Sequence, residues 1–130
     1  MRGLLIRQPY IGMILDGSKT WEMRSKRCHF REQIALIQAG TKNVLGVAEV
    51  IDCLGPLTDE QRCSSAHLHG LEPDRWLDPN IAKYRFAWVL GKMQRLSIPV
   101  PYVPKSGPVT WILLGDSVAQ AISAQLAAPQ

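Results

Sequence analysis

Lys19, Thr20, Glu22 and Arg24 fall within six residues of chain and bring an amine, a hydroxyl, a carboxylate and a guanidinium to one place. Such a set supports two kinds of chemistry. The carboxylate can serve as a base while the cations stabilise a developing oxyanion, or the cations can hold phosphates while the carboxylate reads the edge of a base. From Thr20 to Arg24 the pattern has period two, which puts Thr20, Glu22 and Arg24 on one face of a strand and Trp21 and Met23 on the other, with Lys19 at the lip. On an exposed edge strand the same charges would simply pair with one another. The element that must aim this strand is the run just before it. In Pro9 to Asp16 the residues Ile11, Ile14 and Leu15 have helical spacing, Pro9 suits a first helical position and Gly17 suits the residue past the end.

Leu4-Leu5-Ile6-Arg7-Gln8-Pro9-Tyr10 precedes that helix, and the whole run from Leu4 to Arg24 resembles the signature of the ASCH family. Its Gly-x-Lys-x-x-Glu-x-Arg element is met by Gly17, Lys19, Glu22 and Arg24. Later segments are also similar to the bacterial ASCH pattern: Ile34 to Ile37 with Leu45 to Val50, then Phe86 to Leu90, then Pro99 to Tyr102 with Gly107 and Trp111. The resemblance spans residues 4 to 114. It implies a mostly β (α+β) fold, a PUA-like β-barrel with a short helix after the first strand and a helix at the C-terminus. It further implies a cleft, formed by Arg7, Gln8, Pro9, Tyr10, Lys19, Thr20, Glu22 and Arg24, that binds RNA or a modified nucleoside.

Some compact ASCH proteins are amidohydrolases that remove an acyl group from the exocyclic nitrogen of cytidine, using a Lys, a Thr and a Glu. The resemblance then gives Lys19 the place of the catalytic lysine, with Glu22 where those enzymes have threonine. Thr20 on the same face is the substitute nucleophile, or Glu22 activates a water. A partner carboxylate would come from the later loop, as Glu60 or Glu72. A histidine on that loop, His67, can donate to a substrate or exchange a proton near neutral pH. Lys19 and a histidine would be the acid and base of a third reading, RNA cleavage, which the family also suggests.

Composition narrows the partners. Fifteen Lys and Arg against eleven Asp and Glu leave a net charge of +4, an excess that helps to capture a phosphate-bearing ligand. Six cations (Arg7, Lys19, Arg24, Lys26, Arg27 and Arg31) crowd near the motif. No apolar run is long enough to span a membrane, and three cysteines at irregular spacing suit a reducing, cytoplasmic setting better than a disulfide framework. Cys63, His67 and His69 lack the paired spacing of a metal site, so neither metal nor cofactor is expected and His67 and His69 are assigned to the surface.

At 130 residues the chain suits one domain. Strands are predicted over Gln33 to Gln38 and Val44 to Ile51, joined by a hairpin loop at Ala39 to Asn43. Residues 52 to 83 read as a turn-rich excursion, the lid or variable wall of the cleft, containing a short helix opened by Thr58 or Asp59. Strands follow at Tyr84 to Leu90, at a proline-rich edge from Leu96 to Val103, and at Val109 to Leu114. A last helix carries Val118, Ile122 and Leu126 on one stripe, is capped by Asp116 or Ser117 and is stopped by Pro129. Trp21, Trp88 and Trp111 belong to the core on this reading, leaving Trp76, Tyr10 and Tyr102 to stack on bases.

Overall fold

A computed structural model describes residues 1–104 and 110–127. Strand β1 (Arg2–Ile6) leads into helix α1 (Tyr10–Asp16) and strand β2 (Trp21–Arg24). Strands β3 (Gln33–Gln38) and β4 (Asn43–Leu54) form a hairpin, and the helices α2 (Asp59–Ser64), α3 (Ala66–His69) and α4 (Pro79–Ala82) follow with a 3-10 turn at Pro73–Leu77. Strand β5 (Phe86–Pro101), strand β6 (Trp111–Leu113) and helix α5 (Asp116–Ala127) complete the described chain. Gly107, Val109 and Pro129 lie outside the described residues.

The strands form one mixed sheet in the order β2-β5-β4-β3-β1-β6, curled into a half-barrel. Strand β1 runs parallel to the central strand β3, which is buried on both faces, and that explains the unbroken apolar run Ile34-Ala35-Leu36-Ile37. Alternation then sorts these residues. Ile34 and Leu36 join Leu4, Ile6, Ala48, Val50, Trp88 and Leu90 under α1, whereas Ala35 and Ile37 join Val44, Val47, Leu96 and Val100 under α5. The α1 residues Ile11 and Ile14 are fully buried in the first cluster, and Ile122 of α5 in the second.

Two expected strands, Tyr84 to Leu90 and Leu96 to Val103, are one sixteen-residue strand, β5. Gly91, Lys92 and Arg95 interrupt the apolar pattern there without ending the strand. The register between β4 and β5 shifts three times along their length. Each such irregularity bends and twists its strand, and together they curl the sheet. Lys92, at φ 50°, sits in this bent stretch. Among the described residues, the C-terminal half of β5 has no strand on its outer side. Instead the side-chain amide of Gln125 donates to the Ile98 carbonyl at 2.7 Å and accepts from its N–H at 3.0 Å, as a neighbouring strand would.

Caps and turns agree with the expected boundaries in α1 and α2. Gly17 ends α1 in the left-handed region at φ 88°, and Pro9 stands just before the helix rather than in its first position. Thr58 and Gln61 form a reciprocal capping box at the start of α2. Asp52 to Leu54 belong to β4, so the excursion begins three residues later than expected.

The excursion is an ordered unit, organised by buried Arg62. Its guanidinium donates to the carbonyls of Ala82 and Tyr84 at 2.7 and 3.1 Å, pairs with Asp59 at 2.9 Å and lies 4.1 Å from the centre of the Trp76 ring. Trp76 is thus committed to packing against Arg62 and, edge-on, against His69, and is not the exposed stacking platform expected from sequence. His69 is likewise fully buried, not a surface residue: its Nδ1 accepts from Leu71 N–H and its Nε2 lies 2.6 Å from the Arg62 carbonyl.

Candidate functional site

The strand pairing places Glu22 opposite Trp88 and Arg24 opposite Phe86, so both charged side chains face α1 and the mouth of the half-barrel. Strand β2 is one edge of the sheet and β1 lies near the other. Arg24 bridges them: its Nη2 donates to the Leu5 carbonyl at 2.9 Å and to Glu22 Oε2 at 2.9 Å. Leu5 lies past the residues of β1 that pair with β6, which leaves its carbonyl free for this bridge.

Lys19 is 1% exposed and forms the floor of the site, not its lip. Its ammonium donates to the backbone carbonyls of Trp21 and His69, the latter at 2.6 Å, and lies 3.5 Å from Glu22 Oε1. Those acceptors suffice for three N–H donors. Burial nevertheless pushes the Lys19 amine below its ordinary 10.5, with Arg24 acting in the same direction and Glu22 opposing both. The Tyr10 ring lies 5.6 Å from the same ammonium.

These groups line a cavity of about 390 Å³. Strand β1 and the residue after it contribute Leu5, Ile6 and Arg7; α1 contributes Tyr10; and the excursion closes the far side with Leu71, Arg75, Asp78, Asn80, Ile81 and Tyr84. Four cations (Arg7, Lys19, Arg24 and Arg75) face two carboxylates (Glu22 and Asp78), an excess of two positive charges. A depression of about 460 Å³ on α5 is larger, but its lining of Asp116, Ala119, Gln120, Ser123 and Ala124 holds no cation and belongs to one helix. Of the two, only the smaller brings cations and carboxylates from several elements together.

Of the expected site residues, Arg7, Tyr10, Lys19, Glu22 and Arg24 meet in this cavity. Gln8, Pro9, Thr20, His67 and Trp76 do not line it. Gln8 bonds to Gln38 and accepts from Gly12 N–H, and Thr20 is engaged through its backbone with Leu68 and Leu90. His67 is exposed on α3, and neither Glu60 nor Glu72 reaches the cavity. The carboxylate that the excursion does bring is Asp78, whose Oδ1 caps α4 by accepting from Asn80 N–H at 2.9 Å. Sequence reasoning missed Arg75, Asp78, Asn80 and Tyr84. The sequence Asp78-Pro79-Asn80 announces a turn, but a turn does not reveal which way it faces.

A family model described as the ASCH domain matches residues 4–98. Among solved structures, the chain is similar to ASCH from Zymomonas mobilis, with a TM-score of 0.75 and 15% identity over 95% of this chain and 93% of that one. Two point mutants of ZmASCH from the same organism also match. The serine-to-alanine mutant does so with a TM-score of 0.71 at 16% identity, covering 95% of this chain and 94% of that one. For the tyrosine-to-phenylalanine mutant the TM-score is 0.73 at 15% identity, covering 95% and 96%. No curated protein matches the sequence. With the family model spanning most of its length and the same half-barrel in its structural neighbours, this chain belongs to the ASCH domain family.

Proposed function

We propose that the cavity binds a single nucleoside unit, either free or as an unstacked residue of RNA. The observation that carries this reading is the setting of Glu22. Arg24 and Lys19 hold its carboxylate at the cavity floor, and the lone pairs they leave unused can accept an N–H from the exocyclic nitrogen of a base. Tyr10 and Tyr84 supply aromatic surface on two sides. The volume of about 390 Å³ belongs to the lower part of the range for small-molecule sites, which suits one nucleoside better than a stacked strand.

A second reading, hydrolysis of an N4-acylcytidine, draws on the same contact. With Thr20 off the cavity, the nucleophile is a water activated by Glu22, which passes the proton on to the departing N4 amine, while Arg24, whose Nε and Nη1 have no partner among the described residues, faces the oxyanion and Lys19 holds Glu22 in place. Ribonuclease chemistry with a histidine has less support, because no histidine is among the residues that line the cavity.

Calorimetric titration with cytidine, N4-acetylcytidine and uridine tests the binding reading. Cytidine and its acetylated form, which carry an N–H on that nitrogen, should bind more tightly than uridine, and Glu22→Gln should erase the preference. If none of the three perturbs the protein at millimolar concentration, the reading fails.

A further inference from the structure

The four cations of the cavity are in two different electrostatic states. Lys19 and Arg24, at the floor, share Glu22 and also donate to backbone carbonyls, Lys19 to those of Trp21 and His69 and Arg24 to that of Leu5. Arg7 and Arg75 line the same cavity from exposed positions on separate elements, β1's end and the 3-10 turn of the excursion. Among the described residues neither makes an ion pair or a side-chain hydrogen bond. By contrast Arg2, Arg31, Arg62 and Arg85 each pair with a carboxylate. Asp78, three residues beyond Arg75, makes no ion pair with it among the described residues, and its Oδ1 accepts from Asn80 N–H.

We infer that Arg7 and Arg75 form a phosphate clamp, and that the ligand of this cavity is therefore a nucleotide unit. The floor cations serve to orient Glu22. Both guanidinium groups line the cavity without a carboxylate partner, so an anion there would meet two cations whose donors are not already committed. The guanidinium fork matches two phosphate oxygens at once, which makes arginine better suited than lysine to this role. The shared chemistry is a phosphate ester, carried either by a nucleoside 5′-monophosphate or by the backbone of RNA. This inference rests on the nucleoside reading of the cavity and adds the charge of its ligand.

The test is calorimetry on the full chain at low salt, with each of the four ribonucleosides, its 5′-monophosphate and a single-stranded decaribonucleotide. For at least one base the monophosphate should bind about tenfold more tightly than its nucleoside. Arg7→Gln and Arg75→Gln should each remove most of that advantage while leaving nucleoside affinity within about twofold. Lys42→Gln, a surface change outside the cavity, should alter neither, and because both arginines are exposed the variants should keep the melting temperature of the parent. Tighter binding of the decamer than of any monophosphate, with the same dependence on both arginines, assigns the phosphate to RNA; the reverse order assigns it to a free nucleotide. Equal affinity for nucleoside and monophosphate overturns the clamp and leaves the nucleoside reading intact. If no nucleoside and no monophosphate binds, both readings fall together.

Discussion

Lys19 donates its ammonium hydrogen to the carbonyl oxygen of His69 at 2.6 Å, a contact that joins positions 50 residues apart in the chain. One group thus stands beside Glu22 and also fastens the excursion to the sheet. Site and wall are assembled by the same lysine.

Replacing that lysine should accordingly have a structural effect as well as a functional one. Lys19→Met leaves Glu22 without one of its two cations and strands two buried carbonyls, so unfolding in urea should show a loss of about 3–5 kcal/mol. Hydrogen exchange should quicken at Leu68 and Gly70. A change below 1 kcal/mol, with protection unaltered, would mean that Lys19 does not hold the excursion in place.

If the cavity is catalytic, binding and turnover should separate at Glu22. Glu22→Gln keeps the shape but removes the base, so hydrolysis of N4-acetylcytidine should slow by about 100-fold or more while Kd changes much less. Equal losses in both would mark Glu22 as a binding group only. No hydrolysis by the unmutated protein would leave the binding reading alone.

His69 links stability to pH. Burial, assisted by the charges of Lys19, His67 and Arg62, depresses its pKa below the ordinary 6.5, against the opposing hydrogen bond to the Arg62 carbonyl. The unfolded chain then binds more protons than the folded one over the interval between the two values. Stability from this group is therefore complete above about pH 6.5 and is lost as pH falls toward the depressed folded value. The melting temperature should drop as pH falls from about 8 to about 5. His69→Asn, though less stable throughout, should have a flatter profile. An unchanged slope in that variant would assign the pH effect elsewhere. Asp59, whose carboxyl is held low by hydrogen bonds from Arg85 and Arg62, acts only in a more acidic window, below its ordinary 3.8.

The seat of α1 offers a fourth test, remote from the charges. A Cβ at Gly46 would collide with Leu15 Cδ2 and lie 2.6 Å from the Gln94 carbonyl oxygen, and the backbone atom cannot swing aside. Gly46→Ala should destabilise the fold by about 1–3 kcal/mol. By shifting α1 it should also weaken nucleoside binding through Tyr10, although Gly46 is not among the residues lining the cavity. Parent-like stability and affinity would show that α1 is not seated there.

Much of this arrangement is legible in the chain because it is local. Period-two alternation over Thr20 to Arg24 aims Glu22 and Arg24 to one side of a strand. The spacing of Ile11 and Ile14, with Gly17 after Asp16, delimits α1, and Thr58 or Asp59 marks the start of α2, which the structure settles on Thr58. In each case the partners lie within a few residues, so side-chain type and spacing carry the information.

Tertiary structure decided what closes the site. Arg75, Asp78 and Tyr84 reach the cavity because buried Arg62 ties α2, Trp76 and the segment after α4 together, and no periodicity in a turn-rich segment encodes that direction. The continuity of β5 through Lys92 and the burial of Lys19 escaped sequence reading for a related reason. A bent strand is held by backbone pairing on β4, and Lys19 is satisfied by the carbonyls of Trp21 and His69. Every residue carries such a carbonyl, so no residue type announces which one a buried lysine will find.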